Sequence, residues 1–273
     1  MTKWMRKIRF LVLLTFICFA ACAGGEPSHP TPEAAKEFLK LRGYEFDKPS
    51  FFRAAAAGDV IAVNGFLAAG MSPNEKNQDD DTALTAAAAR GDARIVNALL
   101  KGGADVNAKG RNNWTALLLA LKEERHEVDD ILVSQPNIDV KAETPEGSTA
   151  LMLAVWHQRP NAVRVLLQKG ADVNHQDKEG DVALHGAAWF GNMPILGALL
   201  EAKANPNVKN KLGGTPLMWA AAYGQDAAVR LLLEKGADPR LTDNDGVTAA
   251  GWAGKNGRGN LVLILREAER GKQ

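Results

Sequence analysis

The chain has 273 residues, 46% hydrophobic and 24% charged, with 33 Lys and Arg against 32 Asp and Glu, a formal +1. Four of those cations, Lys3, Arg6, Lys7 and Arg9, crowd the extreme N-terminus, and residues 22–273 hold 29 Lys and Arg against 32 Asp and Glu, a formal −3. That balance excludes the basic excess that nucleic-acid binding requires. The only cysteines, Cys18 and Cys22, fall in or at the leader, so the rest of the chain has no thiol for a disulfide, a metal or a nucleophile.

The basic start is followed by the apolar run from Phe10 to Ala21, too short for the ~20 residues of a membrane span, which predicts a signal peptide over 1–21. Two processing routes stand open. Phe19-Ala20-Ala21-Cys22 resembles a bacterial lipobox, in which Cys22 becomes the lipidated first residue; in a Gram-negative bacterium Ala23 behind it would then imply an outer-membrane lipoprotein. Cleavage after Ala21-Cys22-Ala23 would instead release a soluble periplasmic protein. Residues 22–32, rich in Pro and Gly, read as a tether. Residues 33–47 begin with an amphipathic pattern, Ala35, Phe38, Leu39 and Leu41, closed by Gly43, and predict an N-terminal capping helix.

From there a period takes over. Pro49, Thr82, Thr115, Thr149, Val182, Thr215 and Thr248 stand 33 residues apart, except for 34 between Thr115 and Thr149. Counting each as place zero, place five is Ala54, Ala87, Ala120, Ala154, Ala187, Ala220 and Ala253, without exception. Place two is Phe51, then Leu84, Leu117, Leu151, Leu184 and Leu217, then Ala250. Place nine is Gly58, Gly91, Gly191, Gly224 and Gly257, with Glu124 and Gln158 as exceptions. Each unit carries two short apolar helix patterns, neither stable alone, so the units must stack on one another. The period and the TPL and GAD phrases, as in the stretch from Gly213 to Pro239, resemble the ankyrin-repeat family.

That resemblance implies an all-α repeat solenoid of helix-turn-helix units joined by β-hairpin or loop fingers. About seven repeats, degenerate caps included, span 48–270, near 48–78, 79–111, 112–145, 146–178, 179–211, 212–244 and 245–270. Small Ala at place five lets inner helices approach, and the Leu pairs 99/100, 166/167, 199/200 and 232/233 close the outer side. The acidic finger Asp79-Asp80-Asp81 reads as a solvated, self-repelling loop rather than a cation site. Repeat three, with Glu124 and Asn137 where glycine is usual and an extra residue around Ser134-Gln135-Pro136, should be the weakest link.

The resemblance also implies that places seven and eight line a concave binding groove. They hold Trp156 and His157 in repeat four, Trp189 and Phe190 in repeat five, and Ala222 and Tyr223 in repeat six. Place four adds Trp219 and Trp252. Such rings are either partner anchors or packing laid flat over neighbouring helices. The fingers offer a polar rim: Lys109, Arg111, Asn113 and Trp114; His175, Asp177, Lys178 and Glu179; Lys209, Asn210 and Lys211.

Catalytic chemistry is not expected. The glycine-rich run from Gly254 to Gly259 lacks phosphate-loop spacing, Asp243-Asn244-Asp245-Gly246 lacks the distant Glu of a calcium loop, and the five histidines are scattered singly. No cofactor is expected. The reading is a protein-binding module of the bacterial envelope whose partner is an envelope or periplasmic protein. Exported relatives suggest immunity against a periplasm-acting toxin or support of a periplasmic antioxidant enzyme; a passive envelope protein and a small-molecule binder stand as alternatives.

Overall fold

A computed structural model describes residues 30–271; the leader, Cys22 and most of the tether lie outside them. Among the described residues there are fifteen α-helices and no sheet. The first, α1 (Pro32–Leu41), is capped by the Thr31 hydroxyl, which accepts from the N–H of Ala34. It buries Ala35 and Leu39 on the outer helix of repeat one. Inner and outer helices then alternate: α2 (Lys48–Ala56) and α3 (Val60–Ala68); α4 (Ala83–Arg90) and α5 (Ala93–Lys101); α6 (Ala116–Lys122) and α7 (His126–Ser134). There follow α8 (Ala150–Trp156) and α9 (Pro160–Gln168), α10 (Ala183–Phe190) and α11 (Met193–Glu201), α12 (Pro216–Tyr223) and α13 (Asp226–Glu234), and α14 (Ala249–Lys255) and α15 (Gly259–Gly271). Inner helices pack on inner, outer on outer, and extensive contacts join only the same or adjacent repeats. No helix among the described residues is long and apolar enough to cross a membrane.

The periodic places explain the stack. All seven place-five alanines are buried, as is every place-two residue from Phe51 to Ala250. Place seventeen, Phe66, Leu99, Leu132, Leu166, Leu199, Leu232 and Leu265, fills the seam between outer helices without solvent exposure. Leu100, Leu167 and Leu233 are only half-buried, so one leucine carries most of the closure in three of the four pairs, whereas Leu199 and Leu200 are both buried. Inner helices start where the Thr at place zero accepts from the place-three N–H, as Thr82 does from Thr85 at 3.1 Å. Repeat one differs: Asp47 caps it, so α2 begins one residue before Pro49. Val182 has no hydroxyl, and His185 substitutes by accepting the Val182 N–H on Nδ1 at 3.1 Å.

Place nine turns the chain in the left-handed region. Gly58, Gly91, Gly191, Gly224 and Gly257 have φ between +65° and +82°, and Glu124 and Gln158 are held at +55° and +53° despite their side chains. The extra residue of repeat three lies behind α7, which keeps nine residues like the other outer helices up to α13. There Gln135 is extended (φ −61°, ψ 135°), and the side chains of Ser134 and Gln135 bond the Ile131 carbonyl at 2.7 and 3.0 Å.

Asparagines at place twenty-five lace the repeats together. Asn74 Oδ1 accepts from Asp105 N, Asn107 from Asp139 N, Asn174 from Asn205 N and Asn207 from Asp238 N, all at 2.7–2.8 Å. The rung is missing between repeats three and four, where Lys141 stands in that register. This junction instead holds a buried ion pair. Asp129, fully buried, occupies place fourteen, which is Val63, Val96, Val163, Leu196, Val229 and Val262 elsewhere. Arg159 reaches its Oδ1 at 3.0 Å, while Asp129 Oδ2 and Arg159 Nε have no hydrogen-bond partner among the described residues.

The acidic finger is solvated as expected but departs from the expectation of self-repulsion. Arg111 pairs with Asp79, Lys76 with Asp80 at 3.0 Å, and Asp81 accepts the Arg111 N–H at 3.0 Å, so each carboxylate has a partner rather than repelling freely.

Candidate functional site

Places four, seven and eight of the inner helices sit beside the buried places two and five, on the side that no neighbouring helix covers completely. In repeats four to six the side chains there meet. Trp156 touches Trp189 and Phe190 edge-on, with both centroid distances 5.4 Å. Trp189 stacks on Trp219 at 4.8 Å and on Tyr223 at 4.3 Å. Five rings from three helices therefore form one cluster, which is both packed within itself and open to solvent: Trp156 is 48% and Tyr223 44% exposed. The Trp189 backbone is fixed by Gln225, whose Nε2 donates to the Trp189 carbonyl at 2.9 Å.

Two cavities flank the cluster. One, of about 340 Å³, runs between α8 and α10 beneath Trp156, Trp189 and Trp219 and reaches the finger carboxylates Asp177 and Asp181. The other, of about 220 Å³, lies between Trp219, Tyr223 and Trp252. His185 lines the first. Its Nδ1 accepts from Val182, so Nε2 carries the hydrogen and donates to the Gly214 carbonyl at 3.1 Å. Burial pushes its pKa below the ordinary histidine range, against the pull of Asp181 and Asp177, and both hydrogen bonds suit the neutral ring. Among the described residues no group of three or more His, Cys, Asp or Glu is arranged to hold a metal.

The remaining site expectations are placed apart from the rings. His157 ends α8 and faces the interhelix turn, with Nδ1 3.4 Å from Glu124 Oε1. Arg111, at the end of repeat two, is engaged with Asp79, and half-buried Trp114, on repeat three, lies under the Lys122 ammonium at 4.6 Å. Lys178 and Lys211 lie on consecutive finger tips, stitched by backbone bonds from Lys178 N to Glu146 O (3.0 Å) and from Lys211 N to Glu179 O (2.9 Å). Trp252 bonds Asp243 and stands off the five-ring cluster. Cys22 lies outside the described residues. Sequence reading placed Asp177 in the rim but passed over Asp181 and Gly186. The signal for Gly186 was a glycine at place four, where Leu153 precedes it and Trp219 follows.

The family model for ankyrin repeats (3 copies) matches residues 51–144, 112–177 and 184–272. No curated protein matches the chain. The chain belongs to the ankyrin-repeat family.

Proposed function

We propose that this ankyrin-repeat chain is a non-enzymatic module of the bacterial envelope that grips a protein partner through the ring cluster of repeats four to six, with the finger tips as its rim. Ankyrin repeats generally mediate protein–protein interaction. One observation carries the placement of the site: five contiguous rings whose outer members, Trp156 and Tyr223, are nearly half exposed. Large rings with a desolvatable face are the usual anchors of interfaces, and a contiguous apolar patch of this kind is tolerated best when a partner covers it. The envelope location rests on the leader, the apolar run and the lipobox-like Cys22.

The test is crosslinking and co-purification from intact envelopes, comparing the natural chain with Trp156→Ala/Tyr223→Ala. These two rings are the exposed ends of the cluster, so their removal should change the melting temperature little. A partner captured by the natural chain and lost from the variant supports the site and names the biology, whether a secreted toxin or an antioxidant enzyme. A partner retained at equal yield moves the site off the rings. Finding the chain in the cytosol overturns the envelope reading.

A further inference from the structure

Place four decides what each inner helix presents to the finger that precedes it. In repeat seven it is Trp252, whose Nε1–H donates to Asp243 Oδ2 at 2.8 Å. Asp243 Oδ1 meanwhile closes the finger by accepting from the N–H groups of Asp245 and Val247 at 3.0 and 2.8 Å. The finger that leads into repeat five is the same: Asp177 Oδ1 accepts from Glu179 and Asp181 at 2.9 and 3.0 Å. Its helix half is missing. Place four is Gly186, and among the described residues no donor reaches the second oxygen of Asp177.

The 340 Å³ cavity lies there, lined by Gly186 and walled by Trp156, Trp189 and Trp219. A Cβ on Gly186 would sit 3.4 Å from Val155 and 3.6 Å from the Trp156 ring, so a longer side chain at this position would fill the space. Asp181 adds a second carboxylate. It accepts from Asn210 Nδ2 at 2.9 Å, and its one ion-type neighbour among the described residues is His185 at 3.5 Å, whose buried ring spends Nδ1 on the Val182 N–H. Indole faces attract cations, and a carboxylate oxygen without a donor calls for an N–H.

We propose that this cavity binds an organic cation bearing N–H donors, delivered as a lysine or arginine side chain of the partner protein. The inference rests on the ring-cluster reading and narrows it to the chemistry of the inserted group. The alkyl stem lies along the indoles while the charged head takes the place that the Trp252 N–H fills in repeat seven.

The experiment follows the indole N–H resonances of the ¹⁵N-labelled full chain during titration with n-butylammonium chloride at constant ionic strength. 1-Pentanol serves as the neutral isostere. Saturable shifts of Trp156, Trp189 and Trp219 with the ammonium but not the alcohol are expected. Asp177→Asn should weaken them about tenfold, in line with loss of one charged hydrogen bond. Asparagine already holds this finger register at Asn77 and Asn210, so the turn survives the change. Gly186→Leu should abolish saturation. Equal shifts with 1-pentanol, an Asp177→Asn affinity within twofold, or no shift at all would each overturn the proposal. Because the probe is a small molecule, failure here leaves the envelope capture result standing on its own.

Discussion

The buried pair at the junction of repeats three and four should be a net liability, and replacing Asp129 tests that directly. At 3.0 Å, and with an effective dielectric of 20, the attraction between Asp129 and Arg159 is about 5 kcal/mol. Against it stand the desolvation of two ions, several kcal/mol each, and two polar atoms left without partners among the described residues, Asp129 Oδ2 and Arg159 Nε. Desolvation dominates: the Asp129 pKa is raised above the ordinary carboxylate value although Arg159, and more weakly His126, pull it down. Six sister repeats carry Val or Leu in this place. Asp129→Val should therefore leave stability at pH 7 unchanged or raise it by about 1 kcal/mol. Arg159→Leu, which strands the carboxylate, should cost about 3 kcal/mol. Asp129→Val/Arg159→Asn restores the sister pattern of an apolar place fourteen and, as at Asn192, an N-cap; it should gain about 1–3 kcal/mol. The pH dependence has a definite sign. A raised folded pKa means that the folded state keeps its proton longer, so this group's contribution is best at low pH and declines as pH rises from the unfolded value through the folded one. Urea denaturation of the natural chain and Asp129→Val at pH 5 and pH 7 would read it, with the advantage of the variant larger at pH 7. A loss above about 2 kcal/mol that grows with pH would refute the reasoning and make the pair a net stabiliser.

Two further changes probe the scaffold. Glu124→Gly and Gln158→Gly relieve left-handed strain at φ +55° and +53°, and thermal melts should show each gaining about 0.5–1 kcal/mol after the added freedom of the unfolded chain is counted; a loss would mean that the side chains stabilise more than the strain destabilises. Asn207→Ala removes the acceptor of the Asp238 N–H and the donor to the Gly236 carbonyl, and should cost about 1–3 kcal/mol by urea denaturation.

The stack was legible because its demands are strict at every copy. Only a small residue lets two inner helices touch at place five, and only a residue tolerant of positive φ turns the chain at place nine, so both places declare themselves in the sequence. The ring positions followed from the same register. What the register could not give was whether neighbouring rings reach one another, since that depends on rotamers: Trp156, Trp189 and Phe190 meet, while His157, from the adjoining place, turns toward Glu124. The Asp129–Arg159 pair lay hidden for another reason. Its partners are 30 residues apart on different repeats, and an acid at place fourteen is visible only once that place is known to face the core.

The separation of scaffold and site follows from the same geometry. Places two, five and seventeen are buried between copies, so their substitution is felt by two interfaces at once. Place four faces the finger that leads into its repeat, and there the chain uses Arg53, Ala86, Leu119, Leu153, Gly186, Trp219 and Trp252 in turn. So wide a range of size and charge fits only a place whose occupant the stack does not specify. A cavity can therefore be opened at Gly186 and walled by Trp219 one repeat later without disturbing Ala187 or Ala220, the neighbouring place-five residues that hold those helices together. A binding surface built this way varies residue by residue while the solenoid that carries it stays fixed.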